Sequence, residues 1–456
     1  MSTKGVRDFR PKVHFTPPKN WSNDPNGMVY MDGHWHLYYQ YHPEKPVWGP
    51  MHWGHAVSRD LLHWEHHPTA LHPDELGYIF SGSMAYDKEN TSGFGKDGNI
   101  PVVAMYTSHR AEGRHECQCI AYSLDGGFHF EKYYGNPVIE NPGLTDFRDP
   151  KVFWNRKKNC WSMILAAKDC AYIYASRDLK RWEKTGEFGR EEDLVGSTWE
   201  CTDLFPLQTE EGEKWVLLVS MTALPGKSCA NIQYFVGAFD GDTFRVSEQE
   251  KEPLWLDFGF DNYAGVTFHN YDKPIYLGWG VSPEYANLVP TGEFAGLMTV
   301  ARELSLIKTD RGYRLAAKPF GLDPLRAVSY PVADGDSLIS ECFGLKVQGQ
   351  SGKIILSNEK KQELVVEIGQ ESIKIDRSRA GTVDFSEIFY DRLHSVGEAK
   401  RLLNGTIDME LLFDVSYLEV FADKGLETAS MTVYPDVPYK KISIQGDLAA
   451  EIYQLK

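Results

Sequence analysis

A short turn motif recurs four times between residues 56 and 244, and it constrains the fold more than any other feature of the sequence. Each copy has a small residue, then an Asp, then an aromatic residue within five places; the Asp residues are Asp60, Asp125, Asp178 and Asp240. Successive Asp positions are 65, 53 and 62 residues apart, a mean period of 60. A four-stranded meander with its turns needs about this length, because Asp caps the turn and the aromatic residue holds the returning strand. Four unrelated hairpins would not share this spacing, so the pattern predicts propeller blades.

The same period predicts an all-β chain with a five-bladed β-propeller over residues 1–315 and a C-terminal β-sandwich over residues 316–456. The amino-acid composition changes after residue 315, and no Trp follows Trp279. Segments 363–368, 372–376 and 417–421 alternate in polarity, which predicts strands with one face in solvent. The 12 Trp, 24 Tyr, 23 Phe, 40 Gly and 24 Pro also favour strands and turns, so helix is expected to be scarce.

Charge and cysteine content limit the partners and the compartment. The formal net charge of −16 argues against nucleic acid or an anionic membrane as a partner, and it is compatible with a small neutral sugar. No apolar run approaches the ~18 residues of a membrane span, and the N-terminus has no signal-peptide pattern. Seven scattered cysteines without a CxxC pair favour free thiols in a reducing compartment, so a cytoplasmic location is predicted; a secreted protein whose leader has been removed is the alternative.

The first candidate for chemistry is the segment 21–27, which contains Asp24 between Asn23 and Pro25. Pro25 holds Asp24 in an extended conformation, and the Asn amides can donate hydrogen bonds to a carboxylate or to sugar hydroxyls. The alternative is an Asx-rich turn that opens a hairpin, which is a common use of these residues.

A second candidate is the segment 146–150, where Asp149 precedes a proline and follows Arg148. Neighbouring side chains on a regular strand face opposite ways, so the strand must bend or bulge for both to reach one pocket. The alternative is a surface turn with a salt bridge of little energetic value.

The third candidate is Glu200, which lies between Trp199 and Cys201. In such apolar company the pKa of the carboxyl would be raised, as a general acid near neutral pH requires. The alternative is an edge-strand Glu that points into water. Together the three segments supply the pair of carboxyls that a retaining glycosidase needs about 5–5.5 Å apart, and an Asp/Arg pair to hold hydroxyls.

With these three segments and several others, the chain resembles glycoside hydrolase family 32, the β-fructofuranosidases, over nearly its whole length. The segments that carry the resemblance are 21–27, 39–41, 48–49, 52–56, 80–83, 147–150, 199–201, 263–264, 278–279 and 302–304. The family implies a five-bladed propeller followed by a β-sandwich, which agrees with the repeat count. Ser22, His42 and Thr202 depart from the usual pattern, and these departures put substrate length in doubt rather than the chemistry.

The resemblance also implies residue roles. Asp24 would be the nucleophile, Glu200 the general acid/base, and Asp149, with Arg148 beside it, would hold the fructose 3- and 4-hydroxyls. The residues that would line the fructose pocket are Asn23, Gln40, Trp48, Phe80, Ser81 and Trp279. No cofactor and no metal are expected, because retaining chemistry needs neither and the histidines between residues 52 and 67 fit no zinc-binding spacing.

Several functions remain as alternatives. The leading hypothesis is an exo-acting β-fructosidase that releases terminal fructose from sucrose and fructo-oligosaccharides. A sucrose-6-phosphate hydrolase is the nearest rival and would need a cation on the glucose side of the pocket. A non-catalytic sugar-binding propeller and an inverting glycosidase on a similar propeller are less favoured. The sandwich is expected to serve as structural support or as the contact of a homodimer that shapes the substrate entrance.

Overall fold

The computed structural model describes residues 7–190, 196–224, 226, 228–247 and 252–455. Five antiparallel four-stranded sheets follow one another along the chain and form a five-bladed propeller, in which the first strand of each blade is the innermost. The strands are Asn20–Met31, His34–His42, His52–Ser58 and Trp64–Leu71 in blade I; Tyr78–Tyr86, Val102–Arg110, His115–Ser123 and Glu131–Lys132 in blade II; Phe147–Asn155, Cys160–Ala167, Cys170–Ser176 and Glu183–Gly189 in blade III; Trp199–Thr209, Gly212–Met221, Asn231–Phe239 and Phe244–Val246 in blade IV; and Tyr263–Thr267, Ile275–Trp279, Arg302–Thr309 and Gly312–Pro319 in blade V.

The four repeat Asp residues occupy the same place in blades I to IV, the turn between the third and fourth strands. Each accepts backbone N–H groups from the residues that follow; for example, Asp240 Oδ1 accepts from the backbone of Asp242 at 2.9 Å and Thr243 at 2.8 Å. These backbone hydrogen bonds lower the pKa of Asp240 to about 2. Blade V makes the same connection with a short turn at residues 310–311 and has no copy of the motif. The repeat is therefore a set of Asp-capped turns, and the five-bladed prediction is confirmed.

The blades pack face to face, and an apolar cluster fills each of the five spaces between neighbouring blades. Each blade is therefore covered on both faces by its neighbours, which explains strands that are buried at every position, such as Cys160–Ala167. The ring closes between blades V and I, where the short strand Phe294–Ala295 pairs in parallel with Asn20 and Trp21. Closure of this kind removes the open sheet edge at the joint.

The C-terminal domain is a nine-stranded sheet folded into two halves. Its strands are Ser329–Val332, Cys342–Ser357, Glu363–Ile368, Ser372–Arg379, Val396–Lys400, Ile407–Asp414, Tyr417–Ala422, Glu427–Thr432 and Lys441–Gln454. The two long strands, Cys342–Ser357 and Lys441–Gln454, pair along their whole length and are irregular near Gly349. One half of Cys342–Ser357 pairs with Ile407–Asp414 and the other half with Glu363–Ile368, so the two long strands join the two layers of the predicted β-sandwich.

Alternating burial is present where it was predicted, with one exception. Glu363–Ile368 and Ser372–Arg379 alternate between buried and partly exposed residues. Tyr417–Ala422 is buried at every position, so the expected solvent-facing side is wrong for this strand. The propeller covers that side, and Glu419 on it contacts Arg302 of blade V.

Helix is as scarce as predicted. The described residues contain two one-turn α-helices, Glu387–Tyr390 and Arg392–Ser395, and four 3₁₀ turns at Glu112–Arg114, Ala286–Leu288, Leu325–Ala327 and Asp423–Gly425. None of these helices is long and apolar enough to cross a membrane. No disulfide bond joins any two of the described cysteines.

The last propeller strand, Gly312–Pro319, continues beyond the predicted domain boundary at residue 315. We therefore propose that the boundary between the propeller and the sandwich lies in residues 320–328, before the first strand of the sandwich begins at Ser329.

A buried charge network joins the two domains. Arg302 is fully buried and donates to Glu419 Oε1 at 2.5 Å, to Ser430 Oγ at 2.6 Å and to Asp257 Oδ2 at 3.2 Å. His14 continues the network, because its ring nitrogens lie 2.8 Å from Glu419 Oε2 and 2.9 Å from Asp414 Oδ2. Charges this deep are tolerated only when each has a partner.

The network predicts that the free energy of unfolding falls in mildly alkaline solution. Burial opposes protonation of His14, but the hydrogen bonds to Asp414 and Glu419 prevail and raise its pKa to about 9. The unfolded value is about 6.5, so the stabilisation is fully present below that pH and is lost as the pH rises through the folded value. The difference corresponds to about 3 kcal/mol. Urea unfolding between pH 6 and pH 10 measures it. In His14→Gln the decline should be shallower by this amount, and an identical decline in both proteins would contradict the assignment.

Candidate active site

All five inner strands depart from regular pairing at the same end of the propeller channel. The register shifts lie between Ser22 and Pro25, Ile79 and Gly82, Arg148 and Lys151, Glu200 and Asp203, and Tyr263 and Val266. A bulge lets consecutive side chains face the same side of a sheet. The bulge that the sequence required for Arg148 and Asp149 is present.

These bulges surround a pocket of about 370 Å³. Its lining includes every residue predicted for the site: Asn23, Asp24, Gln40, Trp48, Phe80, Ser81, Arg148, Asp149, Glu200 and Trp279. Residues up to 256 positions apart in sequence, such as Asn23 and Trp279, therefore meet at one place. The alternatives of an isolated hairpin turn, a surface salt bridge and a solvent-facing edge residue do not fit this arrangement.

Asp24 lies at the bottom of the pocket with both carboxylate oxygens in use. Ser81 Oγ donates to Oδ2 at 2.5 Å, and Asn23 Nδ2 donates to Oδ1 at 3.0 Å. Burial raises the pKa of Asp24, and the two hydrogen bonds oppose that rise because they favour the charged form. The result is a carboxyl group held in a fixed orientation through both of its oxygens.

Asp149 lies next to Asp24 across the thiol of Cys201. The Sγ of Cys201 is 3.5 Å from Oδ2 of each Asp, and the backbone N–H of Cys201 donates to Asp149 at 2.9 Å. The backbone of Asp149 has φ of 66°, a left-handed conformation that is unusual for Asp in a strand and that the bulge imposes. Burial raises the pKa of Asp149 to about 8, against the opposing charge of Arg148.

Glu200 occupies the opposite wall and faces polar partners. Arg148 donates to Oε1 through Nε at 3.2 Å and Nη2 at 2.9 Å, and the Tyr263 hydroxyl donates to Oε2 at 2.6 Å. The apolar surroundings inferred from its sequence neighbours are therefore wrong. Trp199 packs into the core between blades III and IV, and Cys201 turns towards the two Asp residues, so neither surrounds the carboxyl.

Sequence reasoning missed an acidic support behind Arg148. Its Nη1 donates to Asp146 at 2.7 Å and to Glu116 at 3.1 Å. Glu116 is buried, and it also accepts from the backbone of Phe147 at 2.7 Å and lies 3.1 Å from His109 Nδ1. The available signal was Glu116 two places before Gln118, since two polar residues on one face of a buried strand suggest a polar network.

Aromatic rings form the side walls. Phe80 stacks on His109 with ring centroids 4.1 Å apart, and Trp48 meets the edge of Phe80 at the exposed rim. On the opposite side Trp21 packs against Trp279 and donates its indole N–H to Asn23 Oδ1 at 2.7 Å. Flat apolar walls around a polar floor are suited to a ring with hydroxyls on its edge.

Two family models together match most of the chain. The model of the glycosyl hydrolases family 32 N-terminal domain matches residues 14–319, and that of the family 32 C-terminal domain matches residues 339–452. Among relatives, a levanase of Bacillus subtilis is 40% identical, covering 96% of this chain and 68% of that protein. An extracellular exo-inulinase of Aspergillus awamori is 32% identical, covering 98% of this chain and 94% of that protein.

Solved structures show the same architecture. The crystal structure of exo-inulinase from Aspergillus awamori superimposes with a TM-score of 0.89 at 30% identity, covering 99% of both chains. A fructofuranosidase from Schwanniomyces occidentalis complexed with fructose gives a TM-score of 0.87 at 26% identity, also covering 99% of both chains. The matches extend across propeller and sandwich alike. The chain belongs to glycosyl hydrolase family 32.

Proposed function

We propose that the protein is a retaining exo-β-fructosidase that releases terminal fructose from sucrose and fructo-oligosaccharides. The observation that carries the proposal is the meeting of Asp24, Asp149 and Glu200, from three different blades, in one small pocket. A volume of about 370 Å³ is near the lower end for small-molecule sites, which favours one terminal sugar over a chain running through. The names of the relatives, levanase and exo-inulinase, point to fructans as the substrate class.

The mechanism assigns different roles to the carboxyl groups of Glu200 and Asp24. Glu200 gives its proton to the glycosidic oxygen as the bond from that oxygen to C2 of fructose breaks, and Asp24 attacks C2 to form a covalent fructosyl ester. Glu200, now a carboxylate, takes a proton from water; that water attacks C2 and frees Asp24. Arg148 and Tyr263 contact the two oxygens of Glu200 and hold its carboxyl in one orientation for both steps.

Asp149 acts on the sugar rather than on the bond that breaks. The carboxyl groups of Asp149 and Asp24 both face Cys201, so Asp149 lies next to the proposed nucleophile, where its oxygens would accept hydrogen bonds from the sugar hydroxyls. Gln40 has its amide nitrogen committed to Asn26 at 2.7 Å and to the carbonyl of Ile79 at 3.0 Å, which leaves its oxygen as the group for substrate. Trp48, Phe80 and Trp279 provide the apolar contact.

The test is a comparison of substrates together with the stereochemistry of the product. Turnover of sucrose, kestose and levan should exceed that of sucrose 6-phosphate, and NMR of the first-formed fructose should show the β-furanose. Predominant α-furanose would indicate an inverting enzyme, and no release from any substrate would indicate a sugar-binding propeller.

Sucrose-6-phosphate hydrolase stays the alternative, because Arg114 lines the pocket in addition to Arg148 and could meet a phosphate. A large preference for the phosphate, lost in Arg114→Ala, would favour it over the proposed function. Equal turnover in the wild type and in this variant would remove the alternative.

The pH profile provides a prediction at Ser81. Its hydroxyl favours the charged form of Asp24, so Ser81→Ala should raise the pKa of Asp24 further and lower the ionised fraction at any acidic pH. We expect the acidic limb of kcat/KM to move up by about one pH unit. Ser81→Thr keeps the hydroxyl and serves as the control. An acidic limb that stays in place in Ser81→Ala would contradict the role of this hydrogen bond.

The compartment and the assembly complete the proposal. Seven cysteines with no disulfide bond among the described residues support a reducing, cytoplasmic location. The exo-inulinase relatives from Aspergillus are extracellular proteins by name, which favours the opposite location. Activity measured in washed cells against activity in the medium tests the location. Light scattering of the purified protein tests the homodimer.

A further inference from the structure

A cluster of metal-type ligands lies outside the pocket, where the propeller meets the sandwich. The side chains of Cys229, Glu284 and His394 each present one ligand atom, and these atoms lie within 4.8 Å of one another. Among the described residues no other group of three His, Cys, Asp or Glu side chains comes this close. Cys229 precedes the third strand of blade IV, Glu284 follows the second strand of blade V, and His394 belongs to the sandwich helix Arg392–Ser395.

The histidine ring is oriented as it is in a metal site. Asp391 Oδ1 lies 2.8 Å from His394 Nδ1, and this leaves Nε2 to face Glu284 Oε2 at 3.0 Å. A carboxylate on the second ring nitrogen is the usual outer partner of a metal-binding histidine, because it fixes the tautomer and raises the basicity of the ligand atom. Glu284 is held in turn by the backbone N–H of Ala230 at 3.0 Å.

We propose that Cys229, Glu284 and His394 bind a single Zn²⁺ ion, with Asp391 as the outer partner of the histidine. A thiolate, an imidazole and a carboxylate are the donors that zinc takes, and three protein ligands leave the fourth tetrahedral position to water. Zinc replaces the thiol proton of Cys229 and any proton on Nε2, which are released to solvent. Partial exposure of Cys229 and of Glu284 gives the ion a route of entry.

The ion would fasten the rim of the catalytic pocket to the sandwich. Glu284 follows Pro283, which lines the pocket, and Asn287 in the same segment accepts the backbone N–H of Trp48 at 2.8 Å. The site has no part in the proposed bond cleavage, so it is consistent with chemistry that needs no metal. Its expected effect is on stability, since an ion that binds only the folded protein raises the free energy of unfolding.

The test uses the purified full-length protein without a histidine tag. Isothermal titration with ZnSO₄ should give one site per chain, and titration with CoCl₂ should produce the charge-transfer absorption of a Co²⁺–thiolate bond. The cobalt measurement needs no variant, so it does not depend on the folding of a mutant. Absence of stoichiometric zinc binding, or a cobalt complex without the thiolate band, would overturn the proposal and leave a network that holds protons only.

Variants then assign the ligands. Cys229→Ser should abolish the thiolate band. Asp391→Asn should weaken zinc binding by about 10–100-fold, and Cys229→Ser should weaken it further. Cys160→Ser, in blade III, is the matched control and should bind zinc as the wild type does. Unchanged binding in Cys229→Ser, with a wild-type melting temperature in the absence of zinc, would exclude this site.

Discussion

Asp24→Ala is expected to lower kcat for fructose release by at least about 10⁴-fold, because the variant lacks the carboxylate that is proposed to form the covalent intermediate at C2. The fold should survive, since the substitution removes a buried charge that burial already disfavours. The measurement is single-turnover release of fructose from sucrose, with the melting temperature as the check on folding. Residual activity of a few per cent in a folded variant would mean that Asp24 is not the nucleophile.

Sodium azide sharpens this prediction. In Asp24→Ala the small anion can occupy the space of the lost carboxylate and attack C2 from the same side, while Glu200 still protonates the leaving oxygen. One displacement instead of two yields the α-configured fructosyl azide, whereas the intact enzyme retains the β-configuration. Glu200→Gln is the matched variant: Asp24 remains, the proton donor is lost, and azide should not restore cleavage of sucrose. An α-azide product from Glu200→Gln would reverse the two assignments.

Much of the site could be predicted because each main residue lies in a local pattern with its own physical meaning. Pro25 and Pro150 follow Asp24 and Asp149, and both prolines stand where an inner strand bulges. The bulge also explains why Arg148 and Asp149 reach the same pocket. The turn Asp residues also have a local meaning that the sequence reveals. Each accepts hydrogen bonds from two backbone N–H groups in one turn of its blade, so four such residues indicate four blades.

The unpredicted part depends on contacts between distant segments. Glu116 supports Arg148 from a different blade, and its neighbour Gln118 indicates a polar network without indicating that Arg148 is the partner. The surroundings of Glu200 were inferred wrongly for the same reason, because the partners that matter, Arg148 and Tyr263, are 52 and 63 residues away. The fully buried face of Tyr417–Ala422 required knowledge of how the sandwich docks on blade V.

The contact between the sandwich strand Tyr417–Ala422 and blade V is where a substitution is expected to change stability most. Arg302→Leu should lower the free energy of unfolding by about 3–5 kcal/mol, because it removes the cation that contacts the buried carboxylate of Asp257 and one of the two cations that contact Glu419. Arg302→Lys keeps the charge but cannot serve three acceptors with the same geometry, so an intermediate loss is expected. The measurement is urea unfolding at pH 7, where all these carboxyls are ionised in the unfolded chain.

A surface ion pair provides the contrast that isolates burial. Arg379 lies 3.1 Å from Glu363 with 67% of its side chain exposed, so Arg379→Leu should cost less than about 1 kcal/mol. The double change Arg302→Leu with Glu419→Leu should cost less than the sum of the two single changes, since each removes the charge that the other leaves uncompensated. His14 loses one of its two acceptors in that double variant, so the alkaline decline in stability should become shallower as well. Equal losses in Arg302→Leu and Arg379→Leu would mean that the buried network does not hold the two domains together.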